Sequence, residues 1–252
     1  MATPNLADYD LILINSSAGK DSQAMLHHLA RQARAQDATG RVVVVHADLG
    51  DVEWTGTAAL AQEQAEAYGL RFEIVRRTQS TLLEQVEQRG MWPSAKARYC
   101  TSDQKRAPIR KLITALVAEL ALDRTAQVLN CLGMRAAESC ARARKEAFQL
   151  DTGASSSRRQ VWTWLPIHDW ADERVWSTIR ASGVRIHPVY AEGMTRASCS
   201  FCILASKPDL LRAVRLRPEL AARYAALEAR IGHRFRADVS MAELIVEAGK
   251  AR

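Results

Sequence analysis

The sequence predicts an α/β protein built on an open, doubly wound, mostly parallel sheet. Three observations carry that expectation: short apolar β-branched runs alternate with longer helical patterns, small or polar residues bound each run, and 48% hydrophobic content over 252 residues is ample for a buried core. Leu11 to Ile14 opens the series, and a helix follows from about Ser22. Val42 to Val45 precedes a helix from about Trp54, and Phe72 to Val75 precedes one over Thr81 to Gln88. A helix over Ala107 to Leu120 and a strand over Val128 to Leu132 continue the alternation. Strands separated by helices pair in parallel through right-handed crossovers, with both faces covered.

Ligands of such sheets sit beyond the carboxyl ends of the strands. The loops to watch are therefore residues 15–22, 46–54, 76–80 and 133–144. Residues 151–160, DTGASSSRRQ, are polar and serine-rich and read as a mobile surface loop. Beyond them come WTWLPIHDW, a helix over Ala171 to Ser182, a C-x-x-C region and an arginine-rich helical tail, with no internal repeat.

Composition narrows the context. No run approaches the roughly 18 apolar residues of a membrane span, and the opening MATPNLADYD lacks a signal-peptide pattern, so a cytoplasmic protein without a membrane partner is expected. Five cysteines, an odd and sparse set, argue for metal ligation or burial rather than a disulfide scaffold. The net charge of +7 favours polyanionic partners without separating a nucleotide from a nucleic acid. Residues 203–236 hold eight lysines or arginines against three acids, which fits either a solvated amphipathic helix or a nucleic-acid contact. Histidines at 46, 168, 187 and 233 form no H-x-x-x-H spacing, and most of the six tryptophans read as core.

The sharpest feature is S-A-G-K-D-S, Ser17 to Ser22, between the first strand and the first helix. Exposed amides and the positive end of a helix dipole converge there on an anion site. Gly19 permits close backbone approach, Ser17 and Ser22 add hydroxyls, and Lys20 adds a full charge. It is not a Walker A loop, which requires G-x-x-x-x-G-K-[ST]. Asp21 suits either Mg2+ or a helix cap, and Asp48 either Mg2+ or ribose or a plain turn. Arg135, Glu138, Ser139 and Arg142 follow the fourth strand after Gly133 and should reach the same crevice, while Lys105 and Arg106 lie near Cys100.

This loop resembles the S-G-G-K-D-S pyrophosphate loop of the adenine nucleotide α-hydrolase superfamily, with Ala18 where the second glycine usually stands. The resemblance covers residues 10–205 and is to the phosphoadenosine phosphosulfate (PAPS) reductase family, carried by HADLG (46–50), RYCTSDQKRAPIRK (98–111), GMRAAES (133–139), LPIHDWADERVW (165–176) and HPVYAEGMTRASCSFC (187–202). It implies a Rossmann-like adenine nucleotide α-hydrolase fold, with a PAPS-reductase-like nucleotide-binding domain over 1–205 and a helical tail over 206–252. For the ATP-cleaving branch it implies cleavage of ATP between the α and β phosphates, with AMP transferred to an acceptor and pyrophosphate released, usually with Mg2+, and the Lys20–Asp21 pair matches that branch. The sulfonucleotide reductases of the family attack sulfate through a cysteine in a carboxyl-terminal ECG segment, whereas the last cysteine here is Cys202.

Cys199 and Cys202 form the C-x-x-C, a spacing compatible with redox, zinc or iron–sulfur chemistry. By resemblance, Cys100 folds against them, but Tyr99 stands where iron–sulfur members carry a second adjacent cysteine, leaving three ligands evident. A 4Fe-4S cluster so held keeps one iron open; zinc is the lesser alternative. Cys140 is a fourth-ligand or sulfur-carrying candidate, and Cys131 reads as core. The combined expectation is an ATP-dependent, AMP- and pyrophosphate-forming sulfur-transfer enzyme with Lys20, Asp21, Arg135 and Cys140 at its centre. A sulfur donor such as a cysteine desulfurase, a nucleic-acid acceptor and a homo-oligomer are compatible with it. The alternatives are a divergent sulfonucleotide reductase and a non-catalytic nucleotide- or nucleic-acid-binding module.

Overall fold

The computed structural model describes residues 4–250, so the sequence readings that fall on residues 1–3 and 251–252 lie outside it. Six strands form one sheet in the order β3-β2-β1-β4-β6-β5. The strands are β1 (Leu11–Ser16), β2 (Val42–Ala47), β3 (Arg71–Val75), β4 (Ala126–Leu132), β5 (Phe148–Leu150) and β6 (Arg159–Trp164). Every pairing is parallel except that of β5 with β6. Alternating side chains of the central strands feed two cores. Ile12, Ile14, Val42 and Val44 pack on one face with Met25, Leu26 and Leu29, and Leu11, Leu13, Val43 and Val45 on the other with Ile113 and Leu116. Two-sided burial is why these strands read as unbroken apolar runs rather than as alternating ones. At the β3 edge, Arg71 is paired with Glu73 and Glu119, charges that blunt an open strand edge.

Helices α1 (Lys20–Ala35), α2 (Thr57–Glu66) and α5 (Ala107–Glu119) supply crossovers, with α3 (Leu82–Arg89) between β3 and α5, while α7 (Asp172–Ser182) follows the last strand and shares a core with α1 through Val175 and Ile179. Trp54, expected at a helix start, is instead buried in the loop ahead of α2. A three-residue helix, α4 (Tyr99–Thr101), widens into a π-helical turn, Ser102–Arg106, before α5. That turn ends two residues before Pro108, which has no N–H to offer an α-helical acceptor.

Two compact units divide the chain. The first takes the chain up to Ala47, Gly56–Val75 and Ile109–His187; the second takes Asp48–Thr55, Arg76–Pro108 and the chain from Pro188 onward. The boundary expected at 205/206 thus falls inside the second unit. The serine-rich stretch 151–160 is a compact hydrogen-bonded turn that runs into β6. Ser155 Oγ donates to Asp151 O (2.8 Å) and accepts from Val161 N (3.0 Å), Asp151 Oδ1 accepts from Ala154 N (3.0 Å), and Ala154 is buried. Side-chain oxygens replace ladder bonds there, which is why polar composition concealed the start of a strand.

In the second unit, α8 (Lys207–Leu216), α9 (Pro218–Ile231) and α10 (Met241–Lys250) surround an aromatic core in which Trp92 stacks on Tyr224 with ring centroids 5.0 Å apart. The Glu228 carboxylate, on α9, accepts from Phe235 N (2.5 Å) and Met241 N (2.8 Å) and so ties α9 to the start of α10. All eight basic residues of 203–236 have partners within this unit. Lys207, Arg223, Arg230, Arg234 and Arg236 pair with acids, and Arg212, Arg215 and Arg217 donate to backbone carbonyls. Among the described residues no helix is long and apolar enough to cross a membrane.

Glu228→Ala leaves two buried amides without acceptors. It should cost about 2–4 kcal/mol in urea unfolding, with Glu228→Gln retaining part of that. An unchanged midpoint for the alanine variant would remove Glu228 from this role.

Candidate anion-binding site and thiol cluster

β1 and β4 are neighbours whose connections leave to opposite sides of the sheet, so their carboxyl-terminal loops diverge at a topological switch point. The loop after β1 is Ser17 to Gly19. Ser22 Oγ accepts from Ser17 N (3.1 Å) and donates to Gly19 O (2.9 Å), and Ser16 Oγ accepts from Ala18 N (3.2 Å), which folds the loop back onto the helix start. Ala18 is fully buried with φ 55°, in the left-handed region. Gly19 is the N-cap of α1 and has no side chain of its own with which to cap it. Its first-turn amides therefore lack acceptors within the helix and point out of its amino end.

The loop after β4 approaches this helix start closely. A Cβ on Gly133 would stand 3.1 Å from Asp21 O and 3.1 Å from Ser22 N, both backbone atoms that would have to give by a few tenths of an ångström, so glycine favours the approach. Two residues later, Arg135 is only 3% exposed and spends its guanidinium on three acceptors. Nε donates to Asp21 Oδ1 (2.6 Å), Nη1 to Trp170 O (3.0 Å) and Nη2 to Asp172 Oδ1. Lys20, 6% exposed, donates to Asp21 Oδ1 (3.2 Å) and to Asp172 Oδ1 (3.1 Å). Two buried cations therefore share the same two carboxylates. Burial works against the Arg135 charge, but Asp21 and Asp172 outweigh it and push its pKa up. For Asp172 partial burial works upward, and the hydrogen bonds and charges of Lys20 and Arg135 more than reverse it, holding the carboxyl below its usual range.

The segment 165–172 braces this arrangement. His168 O accepts from Ala136 N (2.8 Å), His168 Nε2 lies 3.0 Å from Arg142 O, and Trp170 O receives Arg135. Glu138 accepts from Arg135 N (3.0 Å) and pairs with Arg142. Ser139 Oγ accepts from Arg142 N (3.2 Å) as the N-cap of α6 (Cys140–Ala143), where Cys140 is exposed. Asp172, at the first position of α7, was not singled out by sequence reasoning. Its only signal was an acid at a helix start within a quoted motif. Asp48 lies in the second unit, where its Oδ1 accepts from Gly50 N (2.7 Å) in a tight turn and its Oδ2 pairs with Arg76.

Cys100, Cys199 and Cys202 all belong to the second unit, are half-buried and pack against its apolar core. Burial pushes the Cys100 and Cys199 thiols up, Cys202 adds to both shifts, and Lys105 opposes them. For Lys105 burial works against the charge, but Cys199, Glu53, Cys202 and Cys100 raise its pKa. Three thiols in apolar surroundings beside Lys105 have the donor chemistry of a thiolate-held iron–sulfur centre, but their sulfurs do not all lie within 4.8 Å of one another, as those on a single metal ion would. Cys131 is buried in β4, as expected, and burial raises its pKa.

Residues 12–205 match the phosphoadenosine phosphosulfate reductase domain. The chain belongs to that family. Among curated proteins it is 30% identical over 167 residues to an uncharacterized 37.8 kDa protein of Escherichia phage 186, a match over 66% of this chain and 48% of the phage protein. The chain thus spans about half the length of that relative. Solved structures with a similar fold include PAPS reductase from Candida auris as a phosphate complex (18% identity, TM-score 0.47, 79% of this chain and 82% of that one). Another is FMN adenylyltransferase from Candida glabrata with FAD and pyrophosphate (12%, 0.49, 77% and 58%). A third is the U34-tRNA thiolase NcsA from Methanococcus maripaludis with its 4Fe-4S cluster (10%, 0.48, 98% and 74%).

In this PAPS reductase domain the sequence-expected set Ser17, Ala18, Gly19, Lys20, Asp21, Ser22, Gly133 and Arg135 comes together around one helix start, with Ser139 on the following turn. Gly133→Ala would press the loop after β4 back from that start by a few tenths of an ångström. Inorganic pyrophosphate binding should weaken at least about tenfold, with about 1–3 kcal/mol of lost stability. Calorimetric titration together with urea unfolding checks both, and wild-type binding would refute the close-approach argument.

Proposed function

We propose that this PAPS reductase-family chain is an ATP-dependent, AMP- and pyrophosphate-forming sulfur-transfer enzyme whose second unit carries a cysteine-bound iron–sulfur centre. The observation that carries the reading is the pair of buried cations, Lys20 and Arg135, at the head of α1 beside the β1–β4 switch point. An acceptor oxygen attacks the α-phosphorus of ATP, the bond to the β-phosphate's bridging oxygen breaks, and pyrophosphate leaves. A sulfur nucleophile then displaces AMP from the adenylated acceptor, forming the new bond to sulfur and breaking the one to oxygen. Splitting the replacement in two gives the acceptor oxygen a good leaving group.

Each residue has a part in that scheme. The Lys20 ammonium and the first-turn amides of α1 stabilise the charge that collects on departing pyrophosphate. Arg135, held in plane by Asp21, Trp170 and Asp172, orients the phosphate oxygens. Asp21 is the Mg2+ candidate, because a carboxylate beside a phosphate site is the hard oxygen donor that ion takes. Cys100, Cys199 and Cys202 would hold the cluster, which would supply an iron open to a sulfur ligand. Lys105 offsets their negative charge, and exposed Cys140 is the candidate thiol for carrying sulfur.

Pyrophosphate release from ATP should be measurable in the anaerobically purified chain, and Lys20→Ala should lower it by about 10²–10³-fold. Sulfite release from a sulfonucleotide with thioredoxin, and none of pyrophosphate from ATP, would instead establish the reductase reading, with Cys140 or a partner protein supplying the thiol. Cys199→Ser should lose most of the protein-bound iron and acid-labile sulfide relative to wild type. A wild-type chain that carries zinc and no iron after anaerobic purification would overturn the cluster assignment.

A further inference from the structure

We propose that Asp172 makes this site select a phosphate chain that carries a divalent cation over a bare phosphate anion. The inference deepens the nucleotide reading above and rests on it. Lys20 and Arg135 are each held by the same two carboxylates, so the four-membered cluster is neutral before any ligand arrives. A bare oxyanion entering it gains two cations but faces two anions at the same range. A phosphate chain complexed to Mg2+ allows an exchange of partners instead. Its oxygens take the ammonium and guanidinium donors, and its cation meets the carboxylates those donors have left.

Of the two acids, Asp172 is the one an incoming ligand meets. Its side chain is 55% exposed against 22% for Asp21, while Lys20 and Arg135 are nearly closed off from solvent. One oxygen, Oδ1, serves both cations, so losing this carboxylate changes the charge seen by both donors at once. Asp21 and Trp170 still hold Arg135, and Asp21 still holds Lys20, when Asp172 is neutralised. The position is the first of α7, where a carboxylate or its amide is equally compatible with a helix start. Discrimination by a repelling charge is a recognised route to specificity, because it weakens the wrong ligand more than the right one.

The test is calorimetric titration of the full chain with inorganic pyrophosphate, once with Mg2+ and once with EDTA, for wild type, Asp172→Asn and Asp172→Ala. Wild type should bind the Mg2+ form at least about tenfold more tightly than the bare anion. Both variants should bind bare pyrophosphate about five- to tenfold more tightly than wild type does, narrowing the Mg2+ effect by the same factor. That sign separates discrimination from simple positioning, since a residue that only orients Lys20 and Arg135 would weaken both forms when removed. Equal weakening of both forms, or a wild-type affinity indifferent to Mg2+, overturns the inference while leaving the anion site in place. A wild type that binds neither form overturns the nucleotide reading and the inference together. Thermal unfolding confirms that each variant is folded, and the alanine variant carries the same expected sign should the asparagine fail to fold.

Discussion

A guanidinium buried to 3% exposure cannot be left without counter-charge, and most of the site's arrangement follows from satisfying Arg135. Its partners Asp21 and Asp172 lie 114 and 37 residues away in sequence, so meeting its hydrogen-bonding capacity fixes three distant segments about one point. Such a cluster is weak evidence of net stability, since desolvating the charges offsets much of their attraction. What it does supply is register. Removing one partner leaves an uncompensated charge, so the start of α1, the loop after β4 and the start of α7 keep one mutual placement. Gly133 belongs to the same constraint, because the approach it permits brings Arg135 within reach of Asp21.

Charge in the second unit is spent differently. An excess of arginine over residues 203–236 reads as a face for polyanions, yet its guanidiniums end on chain carbonyls and carboxylates of the same unit. Arg217 spans Glu53 O (2.7 Å) and Asp51 O (3.0 Å), and Arg236 reaches Ala205 O (2.8 Å) while pairing with Asp238. A rigid planar fork with several donors suits this bridging of irregular backbone, which a lysine's single point charge serves less well. Loops without regular ladders, among them those that present Cys199 and Cys202, need such donors to satisfy their carbonyls.

Strands β1 and β2 were legible because burial on both faces leaves an unbroken apolar run, β3 and β4 because shorter apolar runs continued the alternation with helices, and α5 because its apolar spacing has a single period. Strand β6 was not, since it opens on Arg159 and Gln160 and borrows hydrogen bonds from a serine-rich turn. The anion loop was legible as a local string, whereas Asp172 gained meaning only through contacts across 152 residues. The same limit applied to the second unit. Its interleaved segments 48–55, 76–108 and 188 onward are joined by packing around Trp92 and Tyr224, and no composition shift marks their ends.

Ala18 shows what the phosphate loop itself requires. A left-handed conformation costs a non-glycine residue about 1–2 kcal/mol, and burying one methyl group returns about 0.8 kcal/mol. The Ala18 methyl is fully buried against Leu60 and Ala61, so burial offsets part of that strain. The bend is imposed from outside the residue by Ser16 Oγ on Ala18 N and by Ser22 Oγ on Ser17 N. The resembling pattern has glycine here because glycine reaches this φ without strain, but the demand of the fold is the φ angle and not the residue. A chain that supplies the two serine anchors and a small apolar pocket can keep the loop with alanine, which is why the substitution leaves the amides of α1 directed as they are.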